Sequence, residues 1–482
     1  MLIDRRSRRL SLAVTVTLSA LGVGLAACTP GVEEDNAETE ATGGAQCQQP
    51  VRMLYATAEA NAAAVQELLP QFREEFGVEL EMETQPFESL QPKVFSEAAS
   101  QSPYYDIFIV DVSYAPPLVD SLEPLSQYLT NPDLNEESAE LGDFIPKVLY
   151  DTAVYDPEDT VAQYPDLTAE PAIDAITGEG FDVYGLPIQA NAFVMAYRKD
   201  MFDDPQEQAD FQARYGRELT VPQTWDEFTE VAEFFTRPGE NLYGTTMMAG
   251  VGDWATDDFK TLLAAFGGNG RLIGEDFSID FAGPEGEQAL SYYVDLIAEK
   301  KVVPPGTTAA SWDEAASTFD SGLTAMSFNY HSLALNPDVE GEIAYAIAPE
   351  GVDRGPHFGT WMLSINKNSE HKECAYSAIK WLTASEQQLA MTENQLHPTR
   401  TSVYDSLSQE GGEDNFYAAL GESLEVGVGR PRLTNYTEIS HAIAVGVNRA
   451  ATEAATPRVA LDEAAAEVSR LLEQAGYEVP TP

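Results

Sequence analysis

The chain reads PYYDIFIVD over residues 103–111, an apolar run that ends at a carboxylate. Its segment Tyr105–Val110 is short and rich in aromatic and β-branched side chains, which is typical of a strand buried inside a sheet. Asp111 follows this segment directly. We therefore expect a central strand here, with an acidic side chain at its carboxyl end.

The segments that precede this strand alternate between strand and helix patterns. Val51–Ala56 is apolar and Val78–Glu83 alternates between apolar and polar residues, so both are predicted to be strands. Ala60–Phe76 has helical apolar spacing and stops at Gly77, and Phe87–Ala99 is predicted to be a second helix. The order strand, helix, strand, helix, strand predicts an α/β fold with a mostly parallel sheet covered by helices.

Three polar side chains lie at, or shortly after, the carboxyl ends of the predicted strands. In sheets of this kind, ligands bind beyond the carboxyl ends of the strands. Tyr55, Asp111 and Tyr114 stand at such ends and are therefore candidate ligand contacts.

The first 28 residues have the pattern of an export signal. Met1–Arg9 carries four arginines, and Leu10–Ala27 is apolar without a charge. The ending Leu25-Ala26-Ala27-Cys28 resembles a bacterial lipobox, which implies cleavage before Cys28 and attachment of lipid to its thiol. An uncleaved transmembrane anchor is the alternative, because the apolar run is just long enough to span a bilayer.

Residues 28–49 are acidic and contain hardly any apolar side chains. Such a segment buries too little apolar surface to offset the entropy of ordering, so we expect a flexible tether. The body that begins at residue 50 would then be held outside the cytoplasm, near a membrane surface.

The chain is strongly acidic. Its formal net charge is −52, and it is −55 without residues 1–27. A surface of this charge repels nucleic acid and anionic lipid, so we expect no nucleic-acid partner. Because the acidic residues are scattered, we interpret them as a solvated coat and hypothesise that it suits high salt.

A set of motifs follows the first strands in a recognisable order. They are Leu122-Glu123-Pro124-Leu125, Tyr184-Gly185-Leu186-Pro187 with Tyr197–Phe202, Val221–Phe228, the group Phe319, Gly322, Ala325 and Met326, and His397–Tyr404. Together with residues 103–111 they resemble the family 1 extracellular solute-binding proteins, the maltose-binding-like group. The resemblance covers roughly residues 50–475.

This resemblance implies two discontinuous α/β lobes joined by crossing hinge strands, the type II architecture of periplasmic binding proteins. The matching segments place the first lobe at 50–190 and 363–398 and the second at 195–358 and 400–478.

The implied function is that of the substrate-binding component of an ABC importer. The protein would be a monomer, lipid-anchored on the outer face of the cytoplasmic membrane, that delivers a neutral sugar or oligosaccharide to the transmembrane subunits of a permease. Neither catalysis nor a cofactor is expected.

Sugar sites need aromatic platforms for C–H faces and polar side chains for hydroxyl groups. Candidates near the predicted cleft are Tyr55, Glu59, Asp111, Tyr114, Gln189, Asn191, Asp253, Trp254, Asn329, Tyr330 and Trp361. The platform at Tyr330 departs from the family pattern, because the family commonly has a tryptophan slightly further on, where this chain has Ser332.

Two alternatives remain open at the level of sequence. One keeps the fold and binds a polyol, glycerol phosphate or another anion. The other is a secreted glycan hydrolase, although no Gly-x-Ser-x-Gly elbow occurs and the carboxylates show no obvious pair. The histidines lack the spacing of a zinc motif, so no metal site is expected.

Cys47 and Cys374 are the two cysteines of the body. Export permits a disulfide between them, and the lobe assignment places both in the first lobe. We therefore treat this pairing as one of two possibilities, the other being two free thiols.

Overall fold

The computed structural model describes residues 47, 49–57, 61–135, 139–165, 167–330, 341–411 and 415–480. The predicted signal segment 1–27, the lipidation site Cys28 and nearly all of the tether 28–49 lie outside these residues, as does the candidate contact Glu59. Over the described ranges, no helix combines the length and the apolarity needed to cross a membrane.

The strands of the described part form three sheets. Their bounds are β1 Val51–Ala56, β2 Leu80–Gln85, β3 Ile107–Asp111, β4 Val154–Tyr155, β5 Asp182–Val183, β6 Leu186–Ala192, β7 Val194–Arg198, β8 Met326–Asn329, β9 Ile343–Ala346 and β10 Phe358–Ile365. The three strands expected from the first part of the sequence are β1, β2 and β3, with bounds shifted by at most two residues.

Helices cover the sheets. Their bounds are α1 Ala62–Phe76, α2 Phe87–Ala99, α3 Ser126–Leu129, α4 Pro146–Ala153, α5 Ile173–Gly178, α6 Lys199–Phe202, α7 Pro205–Tyr215, α8 Trp225–Phe235, α9 Asp253–Leu263, α10 Pro284–Val294, α11 Trp312–Asp320, α12 Lys372–Leu382, α13 Ser385–Thr392, α14 Thr401–Gly411, α15 Phe416–Val426, α16 Tyr436–Ala451 and α17 Pro457–Gln474. Helix α1 ends as predicted at Gly77, which adopts φ of 70° and donates its N–H to the carbonyl oxygen of Arg73.

The first lobe is built on a five-stranded sheet in the order β2-β1-β3-β10-β6. β1 is parallel to β2 and β3, as the alternating pattern predicts. β10, which comes from much later in the chain, is antiparallel to both β3 and β6. The prediction of a mostly parallel sheet is therefore wrong: the sheet is mixed, because β10 returns from a distant part of the chain. Its apolar core contains side chains between Val51 and Ile188 and between Trp361 and Leu396.

The second lobe is built on a three-stranded antiparallel sheet in the order β8-β7-β9. Its core contains apolar side chains from Phe193 to Ala348 and from Leu433 to Leu472. Each lobe thus draws on separated parts of the chain, and the two-lobe α/β architecture expected from the sequence is confirmed.

Three segments pass side by side between the lobes, and we call them the crossing segments: residues 192–194, 356–358 and 427–429. The backbone N–H of Phe193 donates to the carbonyl oxygen of His357 at 2.9 Å, and that of Val428 donates to Pro356 at 3.0 Å. These backbone hydrogen bonds tie the crossings into one ribbon. Side chains near the crossing segments are therefore positioned by parts of the chain that are far apart in sequence.

Candidate functional site

The strand register brings several predicted residues to one face of the first-lobe sheet. Trp361 of β10 pairs with Asp111 of β3 on one side and with Gln189 of β6 on the other. Gly359 of β10 pairs with Asn191 of β6, two residues away from the pair of Trp361 and Gln189. Paired residues of adjacent strands point to the same face, so these side chains form one row. The amide of Gln189 donates to Asn191 Oδ1 at 2.9 Å within it.

Asp111 is the acidic group of this face. Its Oδ1 accepts a hydrogen bond from the backbone N–H of Ser113 at 2.8 Å and so caps the turn after β3. Burial raises the pKa of the Asp111 carboxyl, while the positive charge of Arg430 opposes that rise. A first-lobe carboxylate therefore lies within electrostatic reach of a guanidinium that follows the third crossing segment.

Arg430 is the centre of the second-lobe part of the site. Its Nη2 donates to Asp253 Oδ2 at 2.7 Å and to Asp257 Oδ2 at 3.3 Å, and its Nε donates to Asp253 Oδ2 at 3.1 Å. The other oxygen of Asp253 accepts hydrogen bonds from the hydroxyl groups of Tyr436 and Ser440. Because Asp253 and Asp257 lie one turn apart on α9, both carboxylates reach the same guanidinium.

Burial and charge pull the pKa values of this group in opposite directions. Burial disfavours the charge of Arg430, but Asp253 and Asp257 outweigh it and raise the pKa of the guanidinium well above its usual range. Burial, reinforced by the neighbouring Asp253, raises the pKa of the Asp257 carboxyl. Charge in this cluster is thus retained only where an opposite charge accompanies it.

A second layer of side chains supports Asp257 from behind. His357 Nε2 lies 3.1 Å from Asp257 Oδ1, and Lys260 Nζ lies 3.0 Å from His357 Nδ1. Lys260 also donates to the carbonyl oxygen of Val428 on the third crossing segment. Burial lowers the pKa of Lys260 to about 7 and lowers that of His357 well below its usual value. His357 is therefore neutral and links α9 to the crossing segments.

A row of aromatic rings bridges the two lobes beside the charged cluster. Trp361 and Phe87 pack in the first lobe with ring centroids 5.9 Å apart, and Phe87 meets Trp312 of the second lobe at 6.2 Å. Trp312 continues to Trp254 at 5.3 Å and to Tyr330 at 5.9 Å. The buried indole nitrogens of Trp254 and Trp312 donate to no acceptor among the described residues.

The structure brings together seven of the predicted contacts. Asp111, Gln189, Asn191 and Trp361 form the row on the first-lobe sheet, and Asp253, Trp254 and Tyr330 belong to the charged cluster or the aromatic row beside it. Tyr330 donates its hydroxyl to Asp257 Oδ2 at 3.2 Å, so it joins the charged cluster as well as the aromatic row.

The other predicted residues have different surroundings. Asn329 donates its amide to the carbonyl oxygen of Trp312 at 2.9 Å and accepts the N–H of Tyr330 at 2.8 Å, so it orients both rings. Tyr55 is fully buried in the first-lobe core, where burial raises the pKa of its phenol. Tyr114 packs against Phe95 and lines a separate cavity of about 380 Å³ with Tyr436.

Sequence reasoning missed Arg430, Asp257, Phe87 and Trp312. The signal for Arg430 was present, because Arg430-Pro431-Arg432 is a basic cluster in a very acidic chain. Trp312 follows Ser311, which caps α11 through its hydroxyl, so its position was predictable but its contact with Phe87 was not.

A larger cavity of about 710 Å³ adjoins the cluster through Arg430 and is also lined by Lys147, Asp151 and Arg432. Its cations are engaged: Arg432 donates to the carbonyl oxygens of Val154 and Asp151 at 2.7 and 3.1 Å, and Lys147 donates to that of Gly427. These contacts hold the third crossing segment.

We place the candidate site at Arg430 and the aromatic row, where rings and carboxylates meet. Among the described residues, no cluster of side chains has the composition of a metal site.

Comparison with known proteins identifies the family and the fold of the chain. The family model described as bacterial extracellular solute-binding protein matches residues 56–389. The mannitol-binding protein of Pseudomonas aeruginosa is 26% identical over 253 residues, which cover 49% of this chain and 55% of that protein. A putative binding protein of Brucella abortus is 25% identical over 219 residues, or 44% of this chain and 49% of that protein. The chain thus spans about half the length of these curated relatives.

Solved structures resemble the chain over most of its length. Maltose-bound MalE3 of T. maritima superposes with a TM-score of 0.70 at 26% identity, covering 88% of this chain and 100% of the other. An ABC transporter solute-binding protein from Agrobacterium vitis with bound D-mannitol gives a TM-score of 0.66 at 21% identity, covering 89% and 100%. The second similarity shows a shared fold alone.

Proposed function

Since this chain belongs to the family of bacterial extracellular solute-binding proteins, we propose that it binds a neutral sugar or sugar alcohol between its lobes. It then delivers the ligand to the transmembrane subunits of an ABC permease. The observation that carries this proposal is that side chains of the two lobes meet at the site. Phe87 packs against Trp312, and Arg430, which is paired with Asp253, lies against Gly359 of β10 with its charge within reach of Asp111.

The chemistry of the site fits a polyhydroxylated ligand. The aromatic row offers rings for C–H faces, and the indole N–H groups of Trp254 and Trp312 are buried donors. Asp111 supplies an acceptor for hydroxyl protons. The one guanidinium at the centre is already paired with two carboxylates, which favours hydroxyl groups over an anionic substituent. Relatives named for mannitol and maltose supply the first probes.

The mechanism follows from having contacts on both lobes. A ligand that touches both binds the closed arrangement more tightly than the open one and shifts the population toward it. Hinge closure of this kind is known for periplasmic binding proteins, and the crossing segments would serve as the hinge here. A permease can then distinguish a loaded receptor from an empty one.

The proposed lobe boundaries need one adjustment. The two cores support a first lobe at 50–190 and 363–398 and a second lobe whose first part is 195–358. Arg400 donates to the carbonyl oxygens of Ala139 and Glu140 at 3.1 Å, and the N–H of Ser402 donates to Asp143 at 3.0 Å. We therefore propose that the second lobe resumes at the third crossing segment, near residue 427, and not at residue 400.

Export and lipid attachment at Cys28 complete the proposal. They are supported by the basic and apolar segments of residues 1–27 and by the extracellular family. The protein would act as a monomer tethered by residues 28–49 on the outer face of the cytoplasmic membrane, without chemical change to its ligand. Mass spectrometry of the membrane-bound protein tests the anchor: an unmodified Cys28 in a mature chain would exclude it.

The binding function is tested by calorimetric titration and thermal shift with D-mannitol, ribitol, maltose and maltotriose, followed by chromatography of the recovered ligand. Saturable binding with intact ligand, weakened at least tenfold by Asp111→Asn, supports the proposal. Asp203→Asn makes the same chemical change at an exposed position and should bind normally. Turnover of a probe would favour the hydrolase, and tight binding of glycerol 3-phosphate alone would favour an anion receptor. Absence of binding to every neutral probe would refute the proposal.

A further inference from the structure

We propose that Asp253 and Asp257 set the charge specificity of the site: by balancing Arg430 they make it reject anionic sugars and polyols. This inference rests on the proposed binding function and deepens it. The residues concerned are two carboxylates one turn apart on α9 and one guanidinium that follows the third crossing segment.

Asp253 already has a partner on each oxygen. Its Oδ2 accepts hydrogen bonds from Nε and Nη2 of Arg430, and its Oδ1 accepts from Tyr436 and Ser440. The carboxylate therefore occupies the Nε/Nη2 edge of the guanidinium, which is one of the two edges through which arginine binds carboxylate or phosphate with two hydrogen bonds. Asp253 stands where the charged group of an anionic ligand would otherwise dock.

Arg430 Nη1 lies outside the edge of the guanidinium that Asp253 occupies. It lies against Gly359 of β10, where an added methyl group would collide with it. No hydrogen bond from Nη1 to a described residue accompanies this contact. Nη1 can donate to a hydroxyl oxygen. Because Nη2 already donates to both aspartates, the second edge, Nη1/Nη2, does not offer the two free donors that carboxylate and phosphate prefer.

Asp257 is a positioning residue that acts through Arg430 and Tyr330. It is fully buried, receives the Tyr330 hydroxyl at 3.2 Å and lies 3.1 Å from His357. Lys260, whose charge is influenced by both Asp257 and Asp151, stands behind His357. Arg430 is thus paired with both Asp253 and Asp257, so its positive charge is not left unopposed at the site.

A neutral ligand can still form its hydrogen bonds in this arrangement, because its hydroxyl groups can accept from Nη1 of Arg430 and donate to Asp111. An anionic ligand would face the carboxylates of Asp111 and Asp253, and Arg430 is already paired. Repulsion between like charges is strong in a site that excludes water. The specificity is therefore built into the protein by repulsion as well as by attraction.

The test compares neutral and anionic probes that share a carbon skeleton on matched variants. The probes are D-mannitol with D-mannitol 1-phosphate, and D-glucose with D-glucuronate. The variants are Asp253→Asn, Asp257→Asn, the double variant, the charge-conserving Asp257→Glu, and Asp258→Asn as control. Asp258 is a buried aspartate on the same helix that contacts Met248 and Tyr293 instead of Arg430.

Wild type should bind at least one neutral probe at least tenfold more tightly than its anionic counterpart. In the double variant that ratio should fall at least tenfold, and binding of the anionic probe should weaken as salt is added. Asp258→Asn and Asp257→Glu should keep the wild-type ratio. A change in fold alone would weaken both members of a pair and would not alter the ratio.

An unchanged ratio in a folded double variant overturns the inference while the proposed function stands. If the double variant does not fold, Asp253→Asn takes its place and must lower the ratio at least threefold. If wild type binds no neutral probe, the proposed function fails and this inference fails with it.

Discussion

Phe87 at the start of α2 and Trp312 at the start of α11 meet edge to face across the two lobes, with ring centroids 6.2 Å apart and ring planes at 82°. Such pairs are worth about 0.5–1.5 kcal/mol beyond the area that they bury. Because one ring belongs to each lobe, this contact exists only when the lobes are close together. The pair forms part of the wall of the candidate site, and under the proposed hinge closure it would stabilise the closed arrangement.

Removal of the Trp312 ring should weaken ligand binding more than it weakens the fold. We expect Trp312→Ala to raise Kd at least tenfold, or about 1.4 kcal/mol. Trp225→Ala is the matched control, because Trp225 is a buried packing residue against Phe228 and Phe328. It should lower the free energy of unfolding by about 3–5 kcal/mol while the folded protein keeps its affinity. Calorimetric titration measures the affinity and urea unfolding measures the stability of each variant. An equal loss of affinity in both variants would contradict the prediction.

Arg430 should be coupled energetically to Asp253. Arg430→Met leaves both α9 carboxylates without this cation, and we expect it to cost about 3–5 kcal/mol of stability. Adding Asp253→Asn to that variant removes one of the orphaned charges and should restore part of the loss. Urea unfolding of the two single variants and the double variant forms a mutant cycle. Strict additivity of the two changes would show that the pair does not interact.

Gly359 should be essential for binding because of its closeness to Arg430. A methyl group at this position would collide with Nη1, so Gly359→Ala should displace the guanidinium and weaken binding at least fivefold. Gly178 at the end of α5 has open space around it and provides the control. Gly178→Ala should bind as wild type does. Normal affinity in a folded Gly359→Ala protein would show that Arg430 tolerates displacement.

The disulfide should stabilise the first lobe without affecting the site. Cys47 and Cys374 are bonded across a sequence separation of 327 residues, which ties the chain before β1 to α12. Replacing both by serine should lower the free energy of unfolding by about 2–5 kcal/mol, because the unfolded chain is no longer restricted.

Affinity should be unchanged in that variant, and a reductant should bring wild type to the same stability. Thiol counting on the native protein checks the bond directly. Two reactive thiols in non-reduced body protein would mean that the cysteines are not paired.

Asp258 should make the stability depend on pH. Burial raises the pKa of its carboxyl from 3.8 to about 7, so the folded state holds a proton that the unfolded state releases between these values. The contribution of Asp258 to stability therefore falls as pH rises from about 4 to about 7, by at most about 1.4 kcal/mol per pH unit.

Asp258→Asn removes the group that titrates and, with it, the pH-dependent contribution to stability. The variant keeps an oxygen that can accept hydrogen bonds from Met248 and Tyr293. The difference in unfolding free energy between the variant and wild type should shift in favour of the variant across that range. Thermal and urea unfolding at pH 5, 6, 7 and 8 measure it. A difference that is independent of pH would show that Asp258 is ionised throughout.

Local sequence patterns were sufficient for the early elements and for part of the site. The periodicity of residues 50–111 predicted β1, α1, β2, α2 and β3, because strand and helix spacing depend on near neighbours alone. The ordered motifs identified the family, and with it the two lobes. Asp111, Asp253, Trp254 and Tyr330 were singled out because each lies at the end of a predicted strand or just before a predicted helix near the expected cleft. Trp361 was singled out because the family resemblance implies a tryptophan at the cleft in that position.

The rest of the site depends on contacts between distant segments. The antiparallel insertion of β10 between β3 and β6, the pairing of Arg430 with α9, and the meeting of Phe87 with Trp312 join residues that no local pattern relates. Periodicity can show which face of an element is apolar, but it cannot show which charged or aromatic side chain from the other end of the chain will face it. These partners are decided only where the three crossing segments bring the lobes together. A charge that is buried there needs an opposite charge, and that charge comes from another segment of the chain.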